Sequence, residues 1–251
     1  MVRSHVSGFA MTAEWNSSAL LTTAGADYSM TSDDEIFRRL RRFQTRYFPR
    51  LRRQFENLVD RGQRPTVLFI GCSDSRVVPY LLMDSGPGEL FVVRNIGNFV
   101  PPFDASHGYH GTAASIEFAV LNLELREIIV CGHSHCGAIR ALYTELPPEA
   151  RHMGKWLELG RDAVLPVTLS EEALRRTEQR AVALQIERLM DYPMVRRRVE
   201  AGTLYLRGWH YLIEEGKVLV LDVESGRFES FDAADEAARA NDPLGGINQL
   251  Q

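Results

Sequence analysis

Four short apolar runs punctuate a chain otherwise patterned for helices: TVLFIGC (66–72), ELFVVRN (89–95), EIIVCGH (127–133) and TLYLRGW (203–209). Each is rich in β-branched or aromatic residues, and none alternates cleanly between apolar and polar positions. That is the pattern of a strand covered on both faces in a parallel sheet. Between them GTAASIEFAVLNLE (111–124) brings Ala113, Ile116, Ala119, Val120 and Leu123 onto one helical face. SEEALRRTEQRAVALQIERLM (170–190) opens with a Ser cap and acids and stops at Asp191-Tyr192-Pro193. Strands alternating with helices predict an α/β fold with a mostly parallel central sheet of four strands, flanked by helices. HYLIEE and KVLVLDV, joined at Gly216, predict a hairpin that adds an antiparallel edge.

Upstream, TSDDE (31–35) supplies N-cap and first-turn residues, and Ile36, Leu40, Phe43 and Tyr47 follow at helical spacing. This predicts an N-terminal helical arm. Its arginines, Arg38, Arg39, Arg41, Arg42 and Arg46, read as a solvated or subunit-packing face. Residues 1–32, rich in Ser, Thr, Ala and Gly, read as a flexible arm; residues 33–231 as one domain; residues 232–251 as a tail.

Composition narrows the function. With 251 residues, 45% hydrophobic and 25% charged, the chain has the makings of a globular domain with a sizeable core. A net charge of −4 argues against nucleic acid as a main partner, because phosphate binding needs surplus Lys and Arg. No apolar stretch reaches the roughly 20 residues that span a bilayer, and MVRSHVSGFAMTAEWNSS holds no apolar signal-peptide core. The three cysteines are no disulfide framework and fit a reducing compartment. The expectation is a soluble, cytoplasmic protein.

Two predicted strands end in reactive side chains. The first finishes in Cys72-Ser73-Asp74-Ser75-Arg76, and the third in Cys131-Gly132-His133-Ser134-His135-Cys136. A reactive cysteine, a metal ligand and a structural turn all compete to explain the first. In open α/β sheets chemistry gathers beyond the carboxyl ends of strands. If these two strands are neighbours, Cys72, His133 and Cys136 converge there. Two thiolates and an imidazole suit Zn²⁺, and three protein ligands leave the fourth position open, as in catalytic zinc sites. His135 is an alternative ligand; the spacing to Cys136 favours His133, which follows Gly132, where the chain can turn tightly. Cys131, inside the strand, reads as core. His5, His107, His110, His152 and His210 are assigned by default to surface or loops.

CSDSR, VVRNIGNFVPP (92–102), HGTAASIEFAV (110–120) and IIVCGHSHCGAI (128–139), in that order, resemble a β-class carbonic anhydrase of the plant-like branch. LQIERLMDYPMVRRRVEAGTLYLRGWHY (184–211) is similar to the same family's C-terminal half, so the match runs over roughly residues 33–231. The resemblance implies reversible hydration of CO₂ to bicarbonate and a proton by zinc-bound hydroxide, with one Zn²⁺ per chain on Cys72, His133 and Cys136. It implies a dyad of Asp74, which orients the hydroxide, and Arg76, which holds Asp74. It implies substrate contacts from Gln63, nine residues before Cys72, and from Phe91, Ile96, Phe118 and Gly137. Phe118 stands where the family often has Tyr. Physically, zinc lowers the pKa of bound water from about 15.7 towards about 7. An apolar pocket with one amide donor suits a small, non-polar substrate.

Family members can rest with the aspartate on zinc instead of arginine. Some bind regulatory bicarbonate near a Trp at the position of Phe69, so Phe69 favours an open site with Asp74 on Arg76. The resemblance also implies a homodimer or higher assembly, with the glutamine and some aromatics coming from the partner subunit. Two further readings share the fold: hydrolysis of carbonyl sulfide or carbon disulfide, and a carbonic anhydrase-like subunit of a bicarbonate transport or carbon-concentrating assembly.

Overall fold

A computed structural model describes residues 34–103 and 110–230. The arm expected over 1–32 and the tail expected over 232–251 lie outside these residues. The chain divides into two compact units, one ending at Arg53 and the other starting at Gln54.

In the first unit, α1 (Glu35–Arg42) is capped by Asp34, whose side chain accepts the Ile36 N–H. Glu35 then pairs with Arg38 and Arg39 one turn on. A π-helical segment over Phe43–Tyr47 leads into α2 (Phe48–Arg61), whose residues from Gln54 onward belong to the second unit. Pro49 lacks the N–H that would bond the carbonyl of residue 45, so the turn before it widens. The apolar stripe predicted for this helix, Ile36, Leu40, Phe43 and Tyr47, is exposed.

The second unit is built on a six-stranded sheet of order β2-β1-β3-β4-β5-β6. Its strands are β1 (Val67–Cys72), β2 (Leu90–Asn95), β3 (Glu127–His133), β4 (Tyr205–Leu212), β5 (Lys217–Asp222) and β6 (Arg227–Ser230). The first four pair in parallel and the last two antiparallel. The four parallel strands and the antiparallel edge are those the apolar runs predict. The edge differs in detail. His210-Tyr211-Leu212 is no separate strand but the end of β4, because pairing with β3 continues unbroken from Glu127↔Tyr205 to His133↔Tyr211. The hairpin turn at Gly216 joins β4 to β5, and the short, polar β6 adds a strand that no apolar periodicity announced.

Helices α3 (Pro79–Leu82), α4 (Gly111–Asn122), α5 (Gly137–Ala141), α6 (Arg151–Leu157), α7 (Glu171–Leu189) and α8 (Pro193–Glu200) complete the unit. The face of α4 read from the sequence is the buried one: Ala113, Ile116, Ala119 and Val120 pack with Leu68, Ile70, Val93, Ile128 and Val130 of the sheet. Ser170 caps α7 by accepting the Ala173 N–H, and Pro193 opens α8 at a position where its missing donor costs nothing. A second apolar cluster lies at the carboxyl ends of the strands. There Phe99, Ala138, Ile139, Leu142, Leu157, Leu174 and Ala181 surround Cys72 and Cys136.

Candidate metal centre

β2 and β3 flank β1 on opposite sides, so the chain's path diverges at the carboxyl end of β1, where an α/β sheet opens a crevice. Cys72 is the last residue of β1 and His133 the last of β3, and the register sets Gly71 beside Cys131. Beyond β3 the chain turns at His135, in the left-handed region at φ 55°, and Cys136 then points back inward as the residue before α5. The turn is therefore at His135 and not at Gly132, as the sequence suggested. Gly132 lies within β3, and its lack of a side chain serves packing: a Cβ there would stand 2.6 Å from Val182 Cγ2 of α7.

The donor atoms of Cys72, His133 and Cys136 lie within 4.8 Å of one another, and all three residues are buried. His133 Nδ1 is 2.9 Å from the Ser134 carbonyl, so the ring hydrogen is donated there. Its Nε2 is buried without a hydrogen-bond partner, presenting a lone pair towards two free thiols. An orphaned imidazole nitrogen beside two unbridged sulfurs is a cost that a metal ion removes, and S₂N is a zinc-type donor set. The residues fit the ion.

The local field points the same way. Cys72 is held well below the usual thiol range, first by the Cys136 thiol, then by His133 and by the backbone N–H groups of Asp74 and Gly97; burial opposes this. Cys136 is pushed up correspondingly, since one proton serves the pair. For His133, burial disfavours the cation and the adjacent Cys72 outweighs it, giving a net upward shift. Cys131 is core, as read: fully buried, with its thiol pushed up to about 12 by burial.

Asp74 sits at the rim of this cluster. Arg76 donates to its Oδ1 from the backbone N–H (3.0 Å) and Nε (2.9 Å), and to its Oδ2 from Nη2 (2.8 Å). The same Nη2 also reaches the His135 carbonyl at 3.1 Å, tying the first strand's loop to the third's. The Arg76 side chain holds the Asp74 carboxyl well below the ordinary carboxylate range, against the effect of burial.

The chain as a whole is similar to known proteins. A family model described as carbonic anhydrase matches residues 67–218. A carbonic anhydrase of Synechococcus elongatus is 43% identical over 189 residues, covering 72% of this chain and 68% of that one. Among solved structures, the β-carbonic anhydrase CcaA superposes with a TM-score of 0.73 at 38% identity, over 78% of this chain and 97% of its own. A structure from Sordaria macrospora, reported with two tetrameric β-carbonic anhydrases, superposes with a TM-score of 0.59 at 29% identity, over 76% and 93%. The chain belongs to the β-class carbonic anhydrase family.

Not every site residue expected from the β-carbonic anhydrase resemblance lies near the three ligands. Ile96 does: it begins the 3₁₀ turn after β2, next to Gly97. Its carbonyl accepts the Trp156 indole N–H at 2.6 Å, and it lines a cleft of about 680 Å³ with Pro101, Pro102, His110 and Met153. Gly137 is the exposed first residue of α5. Phe91 and Phe118 stack on each other, centroids 5.8 Å apart, but Phe91 lies four residues before Asn95, the neighbour of Cys72. That is about 13 Å back along β2. Gln63 is exposed ahead of β1, so the length of a strand, about 20 Å, separates it from Cys72.

Three supports of the site escaped the sequence. Arg94 bonds the carbonyls of Cys72 (2.9 Å) and Asp74 (2.6 Å); an arginine in an otherwise apolar run was the available signal. Ser134 donates to Glu214 at 2.6 Å and accepts the Ile213 N–H at 3.0 Å. His210, expected by default on the surface or in a loop, is fully buried in β4 with Nε2 3.1 Å from Glu178 Oε2. His135, the alternative ligand, is exposed and faces Glu171 and Glu214 instead.

Proposed function

We propose that this chain catalyses the reversible hydration of CO₂ to bicarbonate and a proton, at a zinc ion held by Cys72, His133 and Cys136. The observation that carries the reading is the convergence of two buried thiols and an unpartnered imidazole nitrogen beside a carboxylate locked by arginine. When bound, zinc supplies a Lewis acid that lowers the pKa of water to about 7. The chain's own residues supply orientation. Asp74 Oδ1 already accepts two hydrogen bonds and Oδ2 only one, so Oδ2 keeps a lone pair for the hydrogen of the attacking oxygen. Fixing that hydrogen aims the oxygen's lone pair at the carbon of CO₂. Arg76 keeps Asp74 ionised and in place by two-point contact.

Substrate walls from Phe91 and Phe118, and an amide from Gln63, fit a site completed by a second copy of the chain. Within one chain the strand separates Gln63 from Cys72, and the Phe91–Phe118 pair is left partly exposed. Stopped-flow CO₂ hydration on purified protein, with zinc quantified, tests the reading. Cys72→Ala should lose metal and turnover together, whereas Asp74→Ala should keep zinc and lose at least about a hundredfold in kcat, the scale of a lost positioning and proton-handling group. Full activity in Asp74→Ala would remove the dyad from the mechanism.

A further inference from the structure

Glu178 lies mid-helix in α7 and is 3% exposed, with Leu174, Ala181 and Val182 buried around it. A carboxylate in such surroundings is costly unless every partner is in place, and an apolar side chain would often serve stability as well. Glu178 has two partners. Oε1 accepts the backbone N–H of Cys136 at 2.9 Å, and Oε2 lies 3.1 Å from Nε2 of His210. His210 Nδ1 has no partner, so donation from Nε2 to the carboxylate is the arrangement that satisfies the pair. The CO₂ chemistry proposed above gives neither residue a task.

The backbone explains why an acceptor is needed here. The left-handed turn at His135 carries the Cys136 N–H into the interior, outside any helix or strand ladder. Left unpaired, that donor would cost about 1–3 kcal/mol. Its acceptor also fixes the 135–136 peptide plane, and with it the direction of the Cys136 Cα–Cβ bond. Three elements meet to deliver the carboxylate. Gly132 lets α7 approach β3, Val182 fills that contact, and Glu178 stands one turn earlier on the same face of α7. His210 is the β4 partner of Gly132 in register.

We propose that Glu178, braced by His210, is a positioning residue that aims Cys136 Sγ at the metal. The inference rests on the zinc reading above. It is tested on full-length, zinc-loaded protein by the rate of zinc release to excess 4-(2-pyridylazo)resorcinol, followed by absorbance. Glu178→Met, similar in volume but without an acceptor, should release zinc about 10–100 times faster, the usual scale for losing an outer support of a ligand. Glu178→Gln, whose amide oxygen can still accept the Cys136 N–H, should stay within about threefold of the parent. Glu178→Met/His210→Phe also removes the imidazole that Glu178→Met leaves buried and unpaired; it should have a higher Tm than Glu178→Met, short of the parent's by the unpaired Cys136 N–H, and still release zinc fast. The cobalt-substituted Met variants should also show a shifted sulfur-to-cobalt charge-transfer band.

Parent-like release in a folded Met variant would overturn the proposal, as would a Gln variant as fast as Met. So would equal acceleration in Val195→Ala, a destabilised core control in α8. A parent protein that purifies without zinc and takes none up would instead defeat the zinc reading, so the two failures are distinguishable.

Discussion

Arg76→Lys separates charge from geometry at the centre of the site. Arginine grips Asp74 with two side-chain hydrogen bonds, at 2.9 and 2.8 Å, and spends a third, at 3.1 Å, on the His135 carbonyl. Lysine keeps the positive charge but cannot reproduce the planar fork. The Arg76 backbone N–H bond to Asp74 Oδ1 survives the change, so the carboxylate is loosened and not freed. Charge-assisted hydrogen bonds are worth about 1.5–3 kcal/mol when shielded. The Arg76 side chain is 47% exposed, so solvent screening brings the combined loss of orientation to about 1–2 kcal/mol. That corresponds to a fall in kcat of about 5- to 30-fold.

Titration does not confuse the result. Asp74 is held below the ordinary carboxylate range by the Arg76 side chain, so the stability the ion pair contributes is fully present above about pH 4, the ordinary value, and is lost as pH falls from there through the depressed native value. In Arg76→Lys the carboxyl rises towards the ordinary value of about 3.9 and stays ionised at pH 7. Stopped-flow hydration at pH 7–9, normalised to zinc content, measures the effect. A zinc-replete Arg76→Lys enzyme within twofold of the parent kcat would refute the view that the fork, and not merely a nearby cation, orients Asp74.

Three more outcomes are expected. Gly132→Ala forces a Cβ to 2.6 Å from Val182 Cγ2 and should cost about 1–3 kcal/mol by denaturant titration; Val182→Ala in the same chain should restore most of it, and the absence of rescue would show that the contact is not the cause. Ser134→Ala strips Glu214 and the Ile213 N–H of a partner, and should cost about 1–3 kcal/mol while Glu214, now lowered chiefly by that hydroxyl, moves back up in a carboxyl NMR titration. If Gln63 serves the site of a second copy, mixing Gln63→Ala with Asp74→Ala chains during refolding should recover activity that neither has alone, because one site in a mixed pair carries both lesions and the other none; no recovery in verified mixed dimers would show that Gln63 does not serve the site of a second copy.

Much of this architecture could be read from local pattern. Strand β3 is an unbroken non-polar run over its buried residues 128–132, ahead of the buried His133, and the Ala113, Ile116, Ala119, Val120 face of α4 is continuous in the chain. Cys72, His133 and Cys136 stand out because soft ligands at strand ends have few structural explanations. β6 is silent in the sequence because four mostly polar residues carry no period, and the end of β4 reads as a separate strand because its pairing partner, β3, is remote in sequence.

By itself, the sequence determined the four parallel strands, the helices with continuous apolar faces or clear caps, and which residue types could ligate a metal, since these follow from neighbours along the chain. Only the tertiary structure decided that β1 and β3 lie side by side, bringing together residues about sixty positions apart. It also decided that His133 turns inward while the left-handed backbone at His135 turns that ring out. The supports, Arg94 on two carbonyls and Glu178 between Cys136 and His210, belong to the same class. A hydrogen bond is a relation between two atoms in space, and no single position in the chain contains it.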